Sequence, residues 1–174
     1  MGNVSRRLVV DASVLHSAGG KPGHSAHCRQ MLVGVLELGH CAVTCPEIRD
    51  EWNRHQSAFA RKWRVDMVSR KQLRSIHIDV HRQRIADQID GLQKVPAAKL
   101  TALRKDVHML AAAAHADRVL VSGDHALKTL CDAHLTESVE WLLTLDTATD
   151  ADRQAQLDRL IELTRPKPYP ALPL

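Results

Sequence analysis

Asp106-Val107-His108-Met109-Leu110-Ala111-Ala112-Ala113-Ala114-His115-Ala116-Asp117-Arg118-Val119-Leu120-Val121-Ser122-Gly123-Asp124 is the stretch on which the reading of this chain turns. Together with Leu100 and Leu103 upstream, Val107, Leu110, Ala113 and Ala114 fall at helical spacing, so residues 96–116 are expected to form one or two helices. Their small alanines suit close packing against a sheet. Val119-Leu120-Val121 then reads as a short buried strand ending in Ser122-Gly123-Asp124, with a further helix expected over 125–133. The order is helix, buried strand, carboxylate.

The same pattern recurs toward the amino terminus. Arg7-Leu8-Val9-Val10 is a branched apolar run that stops at Asp11-Ala12-Ser13, as a buried parallel strand delivering a polar residue to its carboxyl end would. Gly19, Gly20, Pro22 and Gly23 mark a loop, and from Ser25 the residues Met31, Leu32, Val35, Leu36 and Leu38 keep a helical period up to Gly39. Cys41-Ala42-Val43-Thr44 forms a second brief apolar segment, and Pro46 suits the first position of a helix carrying Glu47 and Glu51 on one face. Either glutamate could look into a cleft at the edge of a sheet. Val139 to Leu145 alternates weakly as a last strand, and Leu157, Leu160, Ile161 and Leu163 place a helix over 150–163. This alternation predicts an α/β fold of three layers, α/β/α, around a mainly parallel central sheet, with ligands at the carboxyl ends of the strands. Residues 1–145 are expected to form the main domain and 146–165 a C-terminal helical segment packed on it. Residues 166–174, with four prolines, are expected to form an extended tail.

Composition narrows the function. With 174 residues, 44% of them hydrophobic and 25% charged, one globular domain is the expectation. Aromatics at 3% leave too few rings for an extended base-stacking platform. Trp52 and Trp141 are expected in the core or an interface. No segment approaches the roughly 20 apolar residues of a membrane helix, and Leu8 to Val10 is too short for a signal-peptide core, so a cytoplasmic protein without a membrane partner is expected. Cys28, Cys41, Cys45 and Cys131 lack the close pairing of a zinc or redox site and are expected as free, buried thiols. The 11 histidines are scattered, and most are expected at the surface.

Charge is concentrated. Between Arg54 and Arg84 stand nine basic residues against Asp66 and Asp79, a local balance of +7 in a chain whose net charge is +4, so the remainder sums to −3. A basic helical segment over 54–94, between the second strand and the Asp106 motif, fits a partner rich in phosphate. The candidate contacts are Arg54, Arg61, Lys62, Arg64, Arg70, Lys71 and Arg74.

Asp11 and Asp124 each follow a short strand, and if those strands are parallel neighbours both carboxylates reach one edge. Asp106 opens the helix expected beside them, and a glutamate of the Pro46 helix reaches in. Carboxylates gathered in one cleft repel each other unless a hard cation neutralises them, and ligation by oxygen alone favours Mg²⁺ or Mn²⁺.

On the residues Leu8 to Leu15, Pro46 to Trp52 and, above all, Asp106 to Asp124, the chain resembles the PIN domain family over roughly residues 7–145. The resemblance implies a metal-dependent endoribonuclease with a parallel sheet flanked by helices. It makes Asp11, Glu51, Asp106 and Asp124 the catalytic acidic quartet and prefers Glu51 to Glu47. It makes Asp11, Asp106 and Asp124 the principal metal ligands, Ser13 and Ser122 supporting hydroxyls, and Asp117 an extra acidic position. It further implies RNA as substrate, a homodimer, and a role as the toxin of a toxin–antitoxin pair with an antitoxin or regulatory protein as partner. Two other classes stand beside it: an inert RNA-binding or interaction module on the same fold, and a phosphohydrolase using Asp11 as nucleophile. The latter chemistry wants a second Asp two residues on, where this chain has Ser13.

Overall fold

A computed structural model describes residues 3–166. The strands are β1 (Arg7–Val10), β2 (Cys41–Thr44), β3 (Leu73–Ser75), β4 (Val119–Ser122) and β5 (Glu140–Leu143). The helices are α1 (Ala12–Ser17), α2 (His24–Glu37), α3 (Pro46–His55), α4 (Ala58–Ser69), α5 (Asp79–Asp90), α6 (Ala97–Lys105), α7 (Val107–His115), α8 (His125–His134) and α9 (Asp150–Glu162). All the strand pairs are parallel, in the order β3-β2-β1-β4-β5, and helices flank the sheet as the α/β reading requires.

That order fixes where a site can form. The chain builds outward from β1 through β2 to β3, then returns to the other side of β1 to lay down β4 and β5. The direction of winding therefore reverses between β1 and β4, and the crevice of such a sheet opens at the carboxyl ends of the strands on either side of the reversal. Val9 and Val10 of β1 face Leu120 and Val121 of β4 in register, so Asp11 and Ser122 arrive at the same edge.

The strands at the reversal are covered on both faces, which explains their unbroken apolar sequence: Leu8, Val9, Val10, Leu120 and Val121 have no exposed surface. On one side α2 packs with α4 and α9, and on the other α5, α6 and α7 pack together. Ala111, Ala112 and Ala113 are fully buried, and their small size lets α7 lie close to β1 and β4. Trp52 is also fully buried, while Trp141 packs at the margin of the core. Cys28, Cys45 and Cys131 are buried free thiols and Cys41 is half-buried.

Two elements depart from the sequence reading. The segment expected to be helical over 54–94 contains the edge strand β3, three residues long, of which Leu73 is half-buried and Arg74 and Ser75 are exposed. Charged side chains on a short edge strand leave no hydrophobic alternation to read, and they also discourage pairing with another chain. The other is α1, a six-residue helix in the region read as strand followed by loop. It is too short to show a period, and its start is dictated by Asp11, whose side chain accepts from the Ser13 amide as a cap.

α9 lies on α2, with the two running in the same direction: Gly23 faces Arg153 at one end and Gly34 faces Leu160 further along. The proline-rich tail expected at the carboxyl terminus lies, from residue 167 onward, outside the described residues. Among the described residues no helix is long and apolar enough to cross a membrane.

Gly39 ends α2 in the left-handed region, at φ 78°, and a Cβ there would meet nothing within 4 Å. Gly39→Ala therefore probes backbone conformation without a packing change, and it should cost about 1–2 kcal/mol, read as a lower urea midpoint at unchanged m-value.

Candidate active site

Asp11 ends β1 and is 92% shielded from solvent, so its carboxylate needs partners. It has them. Oδ2 accepts from the hydroxyls of Ser13 and Ser122, each at 2.7 Å, and Oδ1 lies 3.4 Å from the Ser13 amide. The hydroxyls are themselves oriented by backbone: the Gly123 amide donates to Ser13 Oγ and the Asp124 amide to Ser122 Oγ, both at 3.0 Å. The turn between β4 and α8 thus reaches across the seam through two hydroxyls to hold one carboxylate, and chained donors of this kind strengthen each other. The Asp11 amide closes the seam by donating to the Val121 carbonyl at 2.9 Å.

Asp124 caps α8, its Oδ1 accepting from the Leu127 amide at 2.8 Å while Oδ2 stays free of that bond. Asp106 sits at the junction of α6 and α7. Glu51 is carried by α3, whose position is set by Trp52: the buried indole donates to the Val10 carbonyl at 2.9 Å, pinning the helix to the end of β1. The four carboxylates Asp11, Glu51, Asp106 and Asp124 line a single cleft of about 600 Å³, together with Ser13, Gly123 and Met109. Arg54, His55 and Lys105 line the same cleft.

The two glutamates of α3 lie in different surroundings. Glu51 faces the cleft, whereas Glu47 is paired with Arg82 of α5. Burial pushes the Glu47 carboxyl up, but hydrogen bonds from its own amide, the Cys45 thiol and Arg82 outweigh that and hold it below the usual carboxylate range. Asp117 is not in the cleft. It accepts from the Arg7 amide at 2.7 Å and from the Arg7 guanidinium at 3.3 Å, so it tethers the beginning of β1 at the opposite edge of the sheet. A carboxylate before β4 and one after it cannot serve the same site.

Of the basic residues nominated from sequence, Arg54 alone lines the cleft. Arg70 pairs with Glu37 at 2.9 Å. Arg64 donates to Asn53 Oδ1 at 2.6 Å and lies over the Trp52 ring, and with Arg61 it lines a separate apolar groove beside Val65 and Val68. Lys62, Lys71 and Arg74 are exposed on α4, after it and on β3. The segment is basic, but the fold does not gather it into one face around the acids.

Sequence reading missed His55, Lys105 and His108. His55 lies one helical turn beyond Glu51 and Lys105 directly precedes Asp106, so periodicity and adjacency could have found both. His108, 94% shielded, had no local signal, because what brings it to the site is the packing of α7 on α3. Its Nε2 stands 3.1 Å from Glu51 Oε1, off the direction of a hydrogen bond, which leaves that buried nitrogen without a hydrogen-bond partner. With His27 and His40 it is one of the buried exceptions to the expectation of surface histidines.

Burial pushes the Asp106 carboxyl up to about 6, and although Lys105 and His108 oppose this, the charges of Asp11 and Asp124 add to it. The cleft is therefore short of positive charge at its centre. Among the described residues no three His, Cys, Asp or Glu side chains stand close enough to cage a metal ion directly. An all-oxygen set at wider spacing fits a hard cation that keeps several of its waters, which is the habit of Mg²⁺ more than of ions that demand a protein cage.

No protein-family model matches the chain, and no curated protein matches it either.

The raised Asp106 value fixes the sign of a pH effect. Its folded value lies above the ordinary 3.8, so the native state holds this proton more tightly than the unfolded chain, and the ionised group costs stability as pH rises from about 4 to 6. Asp106→Asn should thus be more stable than the parent at pH 7 by about 2–3 kcal/mol in metal-free buffer, with the gain vanishing below pH 4. Urea titrations of both proteins across that range check it; an equal difference at pH 4 and pH 7 would contradict the electrostatic origin.

Proposed function

We propose that this chain is a PIN-type endoribonuclease that hydrolyses RNA phosphodiester bonds with the help of Mg²⁺ or Mn²⁺. The observation that carries the proposal is the meeting of Asp11, Glu51, Asp106 and Asp124 in one cleft at the reversal point of a parallel sheet, with Arg54 and Lys105 on its walls. The acids come from four separate elements, and mutual repulsion would disperse them unless the site handled cations.

Asp11, Asp106 and Asp124 would hold the metal, directly or through its waters. When bound, such an ion supplies charge neutralisation at the scissile phosphate and a bound water of lowered pKa. The chain's own groups do the rest. Ser13 and Ser122 fix the Asp11 carboxylate in one orientation, so little reorganisation is needed when substrate arrives. Glu51 is placed to orient an attacking water and accept its proton, with the His108 ring 3.1 Å from its carboxylate. Arg54 and Lys105 neutralise backbone phosphates on either side of the cleft, as binding to RNA demands. Preference for RNA over DNA rests on the family resemblance.

Cleavage of an end-labelled pool of single-stranded and structured RNAs, with Mg²⁺, Mn²⁺ or EDTA, tests the reading. Wild type should cut only with metal, and Asp11→Asn and Asp124→Asn should each lose at least a hundredfold in rate while remaining folded. Unchanged cutting by Asp11→Asn would refute the site. Salt-sensitive RNA binding without cleavage, surviving both substitutions, would favour an inert binding module, and hydrolysis of a small phosphomonoester would favour the phosphohydrolase. In EDTA, affinity for single-stranded RNA should fall with added salt. Neutralising Arg54 and Lys105 together should flatten the slope of log K against log salt by about 1.4, at roughly 0.7 per phosphate contact.

A further inference from the structure

A second pocket, of about 290 Å³, opens between the first turns of α2 and α9, lined by Gly23, His27, Gln30, Asp150, Arg153 and Gln154 among others. Both helices start at the carboxyl edge of the sheet and run parallel, so their amino-terminal ends lie together, that of α9 being already taken up by its Thr149–Asp152 capping box and by Asp150. The 14-residue α2 begins at Gly23, held at φ 84°, with no side-chain cap and no acidic residue in its first turn. Backbone carbonyls serve instead: the His24 amide donates to Pro22 and the Ser25 amide to Lys21, with no negative charge set against the helix end.

Two side chains in this pocket have buried nitrogens without a hydrogen-bond partner among the described residues. His27 is 99% shielded, lines the pocket, and among the described residues neither of its ring nitrogens has a hydrogen-bond partner. Leaving such a group unmatched is costly in a folded protein, and it invites a ligand. Arg153 reaches the Asp146 carbonyl through Nη2 at 3.5 Å, while its buried Nε has no partner. A guanidinium can only donate, so what is missing at Nε is an acceptor, which argues against a cation and for an oxyanion. Asp150, 3.7 Å from Arg153 Nη1, is fully exposed at the rim, where water and salt weaken its pull. Burial, then the charges of Arg153 and His24, push the His27 ring down to about 4, so it enters the pocket neutral at physiological pH and offers one N–H.

From this geometry we infer that the pocket between α2 and α9 is a phosphate-binding site, in which Arg153 and the His27 ring donate to one phosphate group held at the amino-terminal end of α2. Arg153 supplies the charge and the forked donor geometry that phosphate oxygens match. Gly23 keeps the approach open, since a side chain there would stand 3.6 Å from Arg153 Nη1. The site is separate from the acidic cleft but shares its edge: Gly123, which touches Ser13 on the cleft side, also abuts the Thr144 carbonyl just past β5, on the way to α9. A phosphate in the RNA backbone and a free phosphoryl compound would satisfy the same donors. The inference does not rest on nuclease activity and holds whether or not RNA is cut.

The test is a titration of the full chain, labelled with ¹⁵N at histidine, with inorganic phosphate in EDTA, following the ring nitrogens of His27. In wild type the His27 resonances should move and saturate. In Arg153→Gln the apparent affinity should fall about tenfold or more, and Arg153→Lys, which keeps the charge but not the fork, should fall in between. Unmoved His27 resonances in wild type, or equal affinity in wild type and Arg153→Gln, would overturn the site. A single-stranded RNA oligonucleotide added at phosphate saturation then separates the sources: displacement of the bound phosphate identifies the RNA backbone as ligand, and retention identifies a free phosphoryl compound. Both support a phosphate site. Loss of cutting in the acidic-cleft variants leaves this titration unaffected, so failure of one reading is distinguishable from failure of the other.

Discussion

The seam between β1 and β4 depends on one buried carboxylate. Asp11 ends a strand with no exposed apolar surface, and its oxygens can be kept there only because Ser13 and Ser122 donate to them. Those hydroxyls are aimed by the Gly123 and Asp124 amides, so the turn after β4, the cap of α8 and the start of α1 are all fixed by the same four hydrogen bonds. Removing any donor leaves a buried acceptor unmatched, a cost of about 1–3 kcal/mol. Fold and site share these bonds.

Electrostatics then sets what this arrangement can be used for. Burial first, and then the neighbouring charges of Asp11 and Asp124, hold the Asp106 carboxyl above its ordinary value, because Lys105 and His108 do not offset them in full. Proteins retain such unbalanced clusters at functional sites, where a ligand completes the charge. Glu47 is the contrast within one helix: four residues from Glu51, it is paired with Arg82, held below the usual carboxylate range and outside the lining of the cleft.

Much of this was legible in the sequence because it depends on local pattern. Short apolar runs ending in Asp at Val10-Asp11 and at Ser122-Gly123-Asp124 announce parallel strands with carboxylates at one end, and Gly39 announces the end of α2. What escaped is of two kinds. Elements below one period, α1 and β3, are fixed by a cap and by an edge rather than by alternation. Partners made by packing, such as His108 against Glu51 or Arg82 against Glu47, join residues far apart in the chain, and no spacing rule links them. Asp117 shows the converse hazard: the family resemblance made it an extra acidic position of the site, yet a strand of four residues lies between it and Asp124 and carries them to opposite edges of the sheet.

Parallel topology also explains why the two pockets differ so sharply in charge while lying on the same edge. Every strand of such a sheet ends there, so carboxylates placed just past β1 and β4 converge. Every crossover helix that returns from that edge also begins there, and so presents the positive end of its dipole. Where acidic side chains cap the helices, as Asp11 and Asp124 do at α1 and α8, the dipole is spent on holding them. At α2 no carboxylate stands in the first turn, and Arg153 adds a positive charge beside its start. A parallel sheet with its winding reversed beside β1 thus supplies these opposite environments side by side from a single edge.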